Sequence, residues 1–192
     1  MNLRRMIGNT RKHFETVNFE IKNKKSSFGN NLIVQNSKYI TIGNNCAFDE
    51  NCRFLLWDNY EFNEKNFTPS LIIGDNVRVT RNFTVQCAKS IVIGSNSLIA
   101  SGVFIIDYNH GFNPYNDSYR NNPLSFASVN IGEGVFLGND VIILPGVDIG
   151  EKSIIGAGSV VSKSIPSYSM AVGNPCHVIK KFNNMTGSWE KI

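Results

Sequence analysis

Aliphatic residues recur at intervals of six along the second half of the chain. The series consists of Ile131, Leu137, Ile143, Ile149, Ile155 and Val161. Four of these six residues are followed by glycine. A second aliphatic or small residue follows each member by four positions, giving Val135, Val141, Val147, Ser153, Ser159 and Ile165. A strict period of six matches neither the 3.6-residue repeat of a helix nor the two-residue alternation of a half-buried strand.

A period of six is typical of a coil with three flat sides. Six residues make one short strand and one turn, and three such units close a triangular coil of roughly 18 residues. Successive coils then stack at the interstrand spacing of about 4.8 Å. The aliphatic residue points to the axis, the small residue fills the remaining interior, and glycine is expected to give the turn its backbone freedom. The pattern predicts an all-β fold, a parallel β-helix, whereas an antiparallel sandwich would not keep this spacing.

The same register extends towards the N-terminus but is interrupted four times. Steps of eight, nineteen, eight and twenty-six residues separate Val34 from Ile42, Phe54 from Ile73, Val85 from Ile93, and Ile105 from Ile131. Because the interruptions come at every third side, all four insertions are predicted to leave one edge of the prism. The two long ones are expected at 55–72 and 106–130. Such a decorated edge is where solenoids usually carry their binding surface.

Three segments follow from the extent of the repeat. Residues 1–27 are predicted to be an N-terminal capping segment, 28–181 the β-helix domain, and 182–192 a C-terminal tail. Both ends are expected to be irregular or helical, with a short basic helix possible at 10–17. A solvated cap is preferred for the N-terminal segment, and contact with a membrane surface is the less favoured alternative.

Composition narrows the class of protein. A chain of 192 residues with 42% hydrophobic and 18% charged residues is expected to fold as one domain or at most two. The net charge of +4 suits an anionic small ligand and does not call for nucleic acid. Neither a membrane span nor a signal peptide is apparent, so the cytoplasm is the expected compartment. No CxxC pair occurs, so neither a zinc ribbon nor a redox motif is predicted, and the cysteines are expected to be structural, with Cys46 and Cys52 as stacked core thiols and Cys87 at the decorated edge. No metal cofactor is predicted.

One histidine lies in the longest insertion. His110 is part of the segment Asp-Tyr-Asn-His-Gly at 107–111. Its ordinary pKa near 6.5 suits a general base. The carboxylate of Asp107, or a backbone carbonyl, could hold the ring in the required tautomer. Alternatively, Asp107 and Asn109 are simple turn residues and the histidine is structural.

Specific motifs resemble a known family. The run 155–166 (IGAGSVVSKSIP) and the run 171–180 (AVGNPCHVIK) are similar to the hexapeptide-repeat acyltransferases, and PGVDIG at 145–150 agrees. Within that family the chain most resembles the galactoside/maltose acetyltransferase branch and its glycan O-acetyltransferases. Several of the latter have a segment similar to 107–111. The resemblance covers roughly residues 28–181.

The resemblance implies a fold, a co-substrate and an assembly. It implies a left-handed β-helix and a homotrimer that binds acetyl-CoA between neighbouring prisms, with His110 as the catalytic base. The implied contacts with CoA are Asn139, Ala157, Ser162, Lys163, His177 and Lys180. The first two would act mainly through the backbone, and the lysines and the histidine would face the nucleotide phosphates.

The acceptor site departs from the galactoside pattern. Phe136 replaces a tryptophan common in the family, and the family's sugar-contacting Asn and Asp align near Thr80 and Cys87. The insertion at 55–72 instead offers aromatic rings beside carboxylates, which are a common sugar platform, although they could equally pack the loop. The predicted substrate contacts are Trp57, Asp58, Tyr60 and Asn82.

The function predicted is therefore acetyl-CoA-dependent O-acetylation of a sugar or surface polysaccharide, such as capsule or O-antigen. N-acetylation of an amino sugar nucleotide, a xenobiotic acetyltransferase and a non-catalytic β-helix scaffold are the alternatives. A β-helical carbonic anhydrase would need three zinc histidines around one site. His13 and His177 lie outside the central coils, so this possibility is disfavoured.

Overall fold

The chain winds into a three-sided prism of stacked coils. The computed structural model describes the backbone of residues 20–21 and all of residues 25–192. The strands of the six coils, in chain order, are β1 Glu20–Ile21, β2 Ser27–Phe28, β3 Ile33–Gln35; β4 Ile40–Ile42, β5 Ala47–Phe48, β6 Arg53–Leu56; β7 Ser70–Ile73, β8 Arg78–Val79, β9 Thr84–Cys87; β10 Ser90–Ile93, β11 Leu98–Ile99, β12 Phe104–Ile106; then, after the hairpin β13 Tyr108–His110 and β14 Leu124–Phe126, β15 Val129–Ile131, β16 Phe136–Leu137, β17 Ile142–Ile143; and β18 Asp148–Ile149, β19 Ile154–Ile155, β20 Val160–Val161.

Each side of the prism is a parallel sheet. The first strands of the coils form sheet A (β1-β4-β7-β10-β15-β18), the second strands form sheet B, and the third strands form sheet C. The register keeps repeat positions in line, because Ile93 pairs with Ile131 and Ile131 pairs with Ile149. The six-residue period of the sequence thus becomes columns of side chains along the prism axis. The predicted parallel β-helix is confirmed.

The two predicted series form the core. All twelve members of the series that begin at Ile131 and Val135 are buried. The buried hydroxyls of Ser153 and Ser159 donate to the carbonyl oxygens of Pro166 and Gly156, at 2.8 and 2.7 Å. A small polar residue is therefore tolerated at the axis wherever a turn carbonyl can accept its hydrogen bond.

Wider aromatic residues fill the axis nearer the N-terminus. The rings of Phe28 and Phe48 stack with centroids 5.1 Å apart, and Phe48 meets Phe54 edge to face at 5.5 Å. Phe54 in turn contacts Phe83 at 6.2 Å. One continuous column of aromatic contacts therefore joins successive coils.

The glycines that follow the aliphatic residues serve close packing and not turn conformation. A Cβ atom on Gly94 would lie 2.5 Å from the carbonyl carbon of Gly132, and one on Gly138 would lie 2.6 Å from the backbone nitrogen of Ala157. Neither Gly94 nor Gly138 is among the residues with positive φ. The sequence prediction that these glycines provide backbone freedom in the turns was therefore wrong. Glycine is required because the next coil leaves no space for a side chain.

Asparagine supplies the left-handed backbone of several turns in the earlier coils. At the A–B corner, where sheet A strands lead into sheet B, Asn45, Asn76 and Asn96 have φ between 55° and 61°. Their amides form a ladder in which Nδ2 of Asn45 donates to Oδ1 of Asn76 at 2.9 Å, and Asn76 to Asn96 at 3.0 Å. Asparagine adopts this conformation more readily than other side chains, and the ladder also links the coils.

All four insertions leave one corner, as predicted. We call it the C–A corner, because each insertion joins a sheet C strand to the next sheet A strand. Between the strands, the four insertions comprise residues 36–39, 57–69, 88–89 and 107–128. A 3₁₀ turn at Ser37–Tyr39 forms most of the first, and the longest contains the antiparallel hairpin β13–β14.

The C-terminal end differs from the prediction of an irregular or helical tail. Sheet B continues into β21 (Ser169–Val172), β22 (His177–Asn183) and β23 (Ser188–Lys191), the last two of which pair antiparallel to their neighbours. The Asn183 side chain accepts from the backbone of Met185 at the turn, and Phe182 packs against Trp189 at 5.3 Å. An Asx turn and a cross-strand aromatic pair thus select a hairpin.

The predicted N-terminal helix at 10–17 lies outside the described residues. In the part of the chain that the structure describes, no helix has the length and apolarity needed to cross a membrane.

The glycine packing predicts a large steric cost. Gly94→Ala should lower the free energy of unfolding by about 1–3 kcal/mol, because the added methyl group meets the backbone of the next coil. Gly158→Ala is the control: its φ is +69°, and a Cβ there would meet nothing within 4 Å. That variant should lose only the left-handed conformational term of about 1–2 kcal/mol. Denaturant unfolding of both variants measures the difference, and a Gly94→Ala protein as stable as the wild type would refute the packing argument.

Candidate active site

A buried carboxylate begins the longest insertion. Asp107 has no exposed surface. Its Oδ1 accepts from the backbone N–H of Ala88 at 2.7 Å, and its Oδ2 accepts from those of Lys89 and Ser90 at 2.9 and 2.7 Å. The thiol of Cys87 also donates to Oδ2 at 3.2 Å. Asp107 therefore anchors the hairpin to the insertion at 88–89 and the start of β10. Its partners are backbone amides, whereas the sequence suggested a pairing with His110.

The hairpin lies over a small apolar cluster separate from the main core. Ala88, Tyr108 and Leu124 are buried there, and Phe67 and Phe126 pack against them with centroids 4.8 Å apart. Burial, and then the charge of Asp107, raise the pKa of Tyr108 to about 12. Its hydroxyl donates to Oε1 of Gln86 at 2.8 Å. The hairpin is thus held by apolar contacts and by a neutral, hydrogen-bonded phenol.

Hydrogen bonds and an ion pair join the two long insertions. The Asn63 amide pairs with the backbone of Leu124 in both directions, accepting from N–H at 2.9 Å and donating to the carbonyl at 3.4 Å. The Arg120 guanidinium forms an ion pair with Glu61. Residues 57–69 therefore form a second wall against the hairpin.

His110 lies where these two insertions meet. It is the last residue of β13, pairs with Leu124 across the hairpin, and has an exposed side chain. Its Nδ1 lies 3.3 Å from the hydroxyl of Tyr60, whose ring meets the imidazole edge to face with centroids 5.3 Å apart. The backbone of the β13–β14 hairpin fixes the position of His110, and Tyr60 contacts one of the two nitrogens of the His110 ring.

The other predicted acceptor contacts divide between two corners. Trp57 is 37% exposed and, like Asp58, lies at the C–A corner. The Asp58 carboxylate faces the first insertion, with Oδ2 at 3.6 Å from Nζ of Lys38 and 3.5 Å from the hydroxyl of Tyr39. Asn82 lies at the B–C corner with φ 61° and accepts from Asn51 at 3.2 Å. Within one chain it belongs to a turn ladder and is not beside His110.

The predicted CoA contacts also occupy more than one corner. Asn139 and Ala157 are at the B–C corner, where the carbonyl of Asn139 accepts from Gly158 N–H at 2.8 Å. Ser162 and Lys163 directly follow β20 and are exposed at the C–A side of the prism. His177 and Lys180 lie on β22. These contacts, too, are therefore not gathered at a single corner of one chain.

All four cysteines are buried, which confirms the core thiols predicted at Cys46 and Cys52 and adds Cys87 and Cys176. All four are free thiols with at most 8% exposure. Burial raises the pKa of Cys52 to about 11 and raises that of Cys87 further, with the Asp107 charge adding to the second shift. Thiols of this kind are poor nucleophiles, because the thiolate is the reactive form.

Sequence reasoning missed several residues that build the site. Arg120, Asn63 and Asn122 all lie in insertions without a repeat, and Asn122 is 1% exposed. Its amide donates to the carbonyl of Asn113 at 3.3 Å and accepts from Asn116. The sequence gives no signal that distinguishes these structural polar residues from polar residues that only contact solvent.

Comparison with known proteins identifies the class of this prism. Residues 128–163 match the family described as bacterial transferase hexapeptide (six repeats), and residues 70–106 match the hexapeptide repeat of succinyl-transferase. A protein of Escherichia coli, by name a lipopolysaccharide biosynthesis O-acetyl transferase (WbbJ), is 37% identical over 76% of this chain and 87% of its own length. The chain belongs to the hexapeptide-repeat acyltransferases, and its prism is the left-handed β-helix of that family.

Other relatives overlap the chain less completely. Proteins named as acetyltransferases from Staphylococcus aureus and Saccharomyces cerevisiae are 43% and 40% identical over 57% and 60% of this chain. The chain spans less than two thirds of their lengths, 64% and 58%.

Solved structures share the architecture. A maltose O-acetyltransferase from Clostridium difficile is 30% identical, covers 86% of this chain and 70% of its own, and superposes with a TM-score of 0.53. The N-acyltransferase AntD from Bacillus cereus, solved with an amino-sugar nucleotide and CoA, has a TM-score of 0.63 at 23% identity, covering 83% and 86% of the two chains. The AntD likeness is one of fold.

The anchoring role of Asp107 predicts a stability loss. Asp107→Ala should lower the free energy of unfolding by about 2–4 kcal/mol, because several buried amide groups lose their acceptor. Asp117→Ala, which removes an exposed carboxylate of the same insertion, should change it by less than about 0.5 kcal/mol. Denaturant unfolding compares the two, and equal effects would show that the buried carboxylate is no anchor.

Proposed function

We propose that this protein is an acetyl-CoA-dependent O-acetyltransferase that modifies a hydroxyl group of a saccharide. The observation that carries the proposal is the exposed imidazole of His110 at the junction of the two long insertions, with Tyr60 at its Nδ1. Membership of the acyltransferase family supports group transfer. The names of WbbJ and of the maltose O-acetyltransferase support a sugar hydroxyl as acceptor, with a surface glycan such as O-antigen or capsule preferred.

His110 supplies the base in the proposed reaction. Its neutral ring accepts the proton of the acceptor hydroxyl while the hydroxyl oxygen attacks the thioester carbonyl carbon. A C–O bond forms and the C–S bond breaks, and the imidazolium returns its proton to the leaving thiolate or to solvent. General base catalysis of this kind typically contributes about 10²–10⁴-fold to the rate.

The residues that the family resemblance assigns to CoA binding suit an extended, anionic co-substrate. The two ion pairs among the described residues are Lys38–Asp58 and Arg120–Glu61, so neither Lys163 nor Lys180 has a carboxylate partner there. Their charges remain available for phosphate groups. Ser162 and His177 are exposed beside them, and Ala157 is exposed at the B–C corner.

We propose that a complete site requires two copies of the chain. His110 lies at the C–A corner, whereas Asn139 and Ala157 lie at the B–C corner, across the width of sheet C. Residues on different corners of one prism come together when the corner of one copy faces that of another. A homotrimer with three equivalent clefts satisfies this arrangement through closed symmetry. Asn82 would contact the acceptor only from such a neighbouring copy, whereas Trp57 and Asp58 lie at the same corner as His110.

Removing the base tests the proposal. His110→Ala should lower kcat/KM at least about 100-fold while leaving acetyl-CoA binding intact, because the ring acts in the proton transfer. Thiol release with a panel of sugars measures turnover, and the thermal shift caused by acetyl-CoA measures binding. Ser125→Ala, on the opposite hairpin strand, should keep wild-type turnover.

The outcomes separate the alternatives. Near-normal turnover of His110→Ala would remove the histidine from its role. Absence of any acetyl-CoA shift in the wild type would favour the non-catalytic scaffold. Faster transfer to an amino sugar than to its hydroxyl counterpart would favour N-acetylation, and preference for an antibiotic over all sugars would favour a xenobiotic acetyltransferase.

The phosphate role of Lys163 gives an independent prediction. Lys163→Met should raise the KM for acetyl-CoA about fivefold with little change in kcat, because one phosphate contact of roughly 1 kcal/mol is lost. The effect should shrink at high salt. Lys25→Met removes an exposed lysine at the other end of the prism and should leave this KM unchanged. An unchanged KM for Lys163→Met would place the phosphates elsewhere.

A further inference from the structure

The hydroxyl of Tyr60 has two close partners. It lies 2.5 Å from the backbone carbonyl oxygen of Arg120 and 3.3 Å from Nδ1 of His110. A phenol carries one proton and can also accept through its oxygen. The three groups therefore form a short chain, from the Arg120 carbonyl through the Tyr60 hydroxyl to the imidazole.

For a neutral imidazole, one arrangement of protons satisfies all three groups of this chain. The carbonyl of Arg120 can accept but cannot donate. If the phenolic proton pointed to Nδ1, two oxygen atoms would lie 2.5 Å apart with no proton between them. The hydroxyl must therefore donate to the carbonyl and present its lone pair to the ring. Nδ1 then makes a hydrogen bond with this oxygen only when it carries the hydrogen atom and donates it to Tyr60.

The Arg120 carbonyl that accepts the hydrogen bond from Tyr60 is itself held in place. Arg120 is the middle residue of a 3₁₀ turn, Tyr119–Asn121, and its N–H donates to the hydroxyl of Ser118 at 3.2 Å. Its guanidinium is paired with Glu61, the residue after Tyr60. Both ends of the bond between Tyr60 and the carbonyl are thus fixed by neighbouring contacts across the two insertions.

We propose that Tyr60 is a positioning residue that holds neutral His110 as the Nδ1–H tautomer, so that Nε2 carries the lone pair that serves as the base. The Nε2–H form is the commoner one for histidine free in water, so a protein contact is needed to reverse the preference. From sequence, this role was open to Asp107 or to a backbone carbonyl, and the structure shows the Asp107 carboxylate bound to backbone amides. The inference deepens the proposed function and rests on it for the catalytic part.

The proposal differs from the sequence expectation that Tyr60 contacts the acceptor sugar. A residue that binds the acceptor equally in ground and transition states changes KM, whereas a residue that sets the tautomer of the base changes kcat. Tyr60→Phe keeps the ring and its edge-to-face contact but removes the hydroxyl. Its kinetic signature therefore distinguishes the two roles.

The tautomer of His110 can be measured by NMR, without an activity assay. In ¹⁵N-histidine-labelled protein at about pH 8.5, where an ordinary imidazole is neutral, nitrogen-to-carbon-proton correlations distinguish the protonated ring nitrogen from the bare one. The chain has three histidines, and the signal missing from a His110→Gln sample belongs to this residue. The wild type should show a protonated Nδ1 and a bare Nε2. Tyr60→Phe should shift the population towards Nε2–H, and Tyr115→Phe, which alters a 93% exposed ring in the same loop region, should not.

Kinetics complete the test. Tyr60→Phe should lower kcat about tenfold or more, with KM for both substrates within about twofold of wild type, whereas Tyr115→Phe should match wild type. An Nε2–H tautomer in the wild type, or an unchanged tautomer in Tyr60→Phe, would overturn the proposal. A rise in acceptor KM at constant kcat would also overturn it in favour of substrate contact. An active His110→Ala would defeat the proposed function, whereas the spectrum would still decide the tautomer.

Discussion

The structure depends on the close approach of one coil to the next. Strands of successive coils exchange backbone hydrogen bonds along all three sides, and the turns between them approach so closely that Gly94 and Gly138 leave no room for a Cβ atom. The interior is then filled by side chains in register, one set for each coil. Because every coil contacts only its neighbours, local changes at one corner are tolerated as long as the stacking distance is kept.

That tolerance explains how the candidate site can be large without disturbing the prism. The two long insertions leave the same corner and pack on each other over a cluster of their own, which includes Tyr108 and Leu124. Asp107 joins this cluster to the coil by accepting hydrogen bonds from the backbone N–H groups of the bend at 88–89 and of Ser90, the first residue of β10. The stacked coils thus provide a rigid frame, and the insertions carry the candidate site.

The repeat allowed the fold to be predicted because it reports directly on burial. Residues such as Ile131 and Val135 recur in register and all point inward, so the coil, its three sides and the shared corner of the insertions follow from counting. The role of the glycines did not follow, because positive φ and lack of space both select glycine. The terminal hairpin was missed because a single Asx turn and one pair of rings, Phe182 and Trp189, carry no period.

The candidate site was predictable only in part. Its location and its histidine follow from the repeat and from the resemblance, but the partner of the imidazole does not. Tyr60 and His110 are fifty positions apart in insertions without internal symmetry. The contacts of Asp107 were not predictable either, because its partners are backbone N–H groups, which every residue but proline offers and which leave no trace in a sequence.

The reversal of direction at the C-terminal end has a consequence for self-association. The parallel strands of a solenoid could in principle continue from one molecule to another, end to end, as they do in fibres. Here sheet B finishes with β22 and β23 running antiparallel, and the outermost strand carries Glu190 and Lys191. An incoming chain that offered a parallel strand to sheet B would meet here a strand of reversed direction with charged side chains, so this edge of sheet B does not continue the parallel stack.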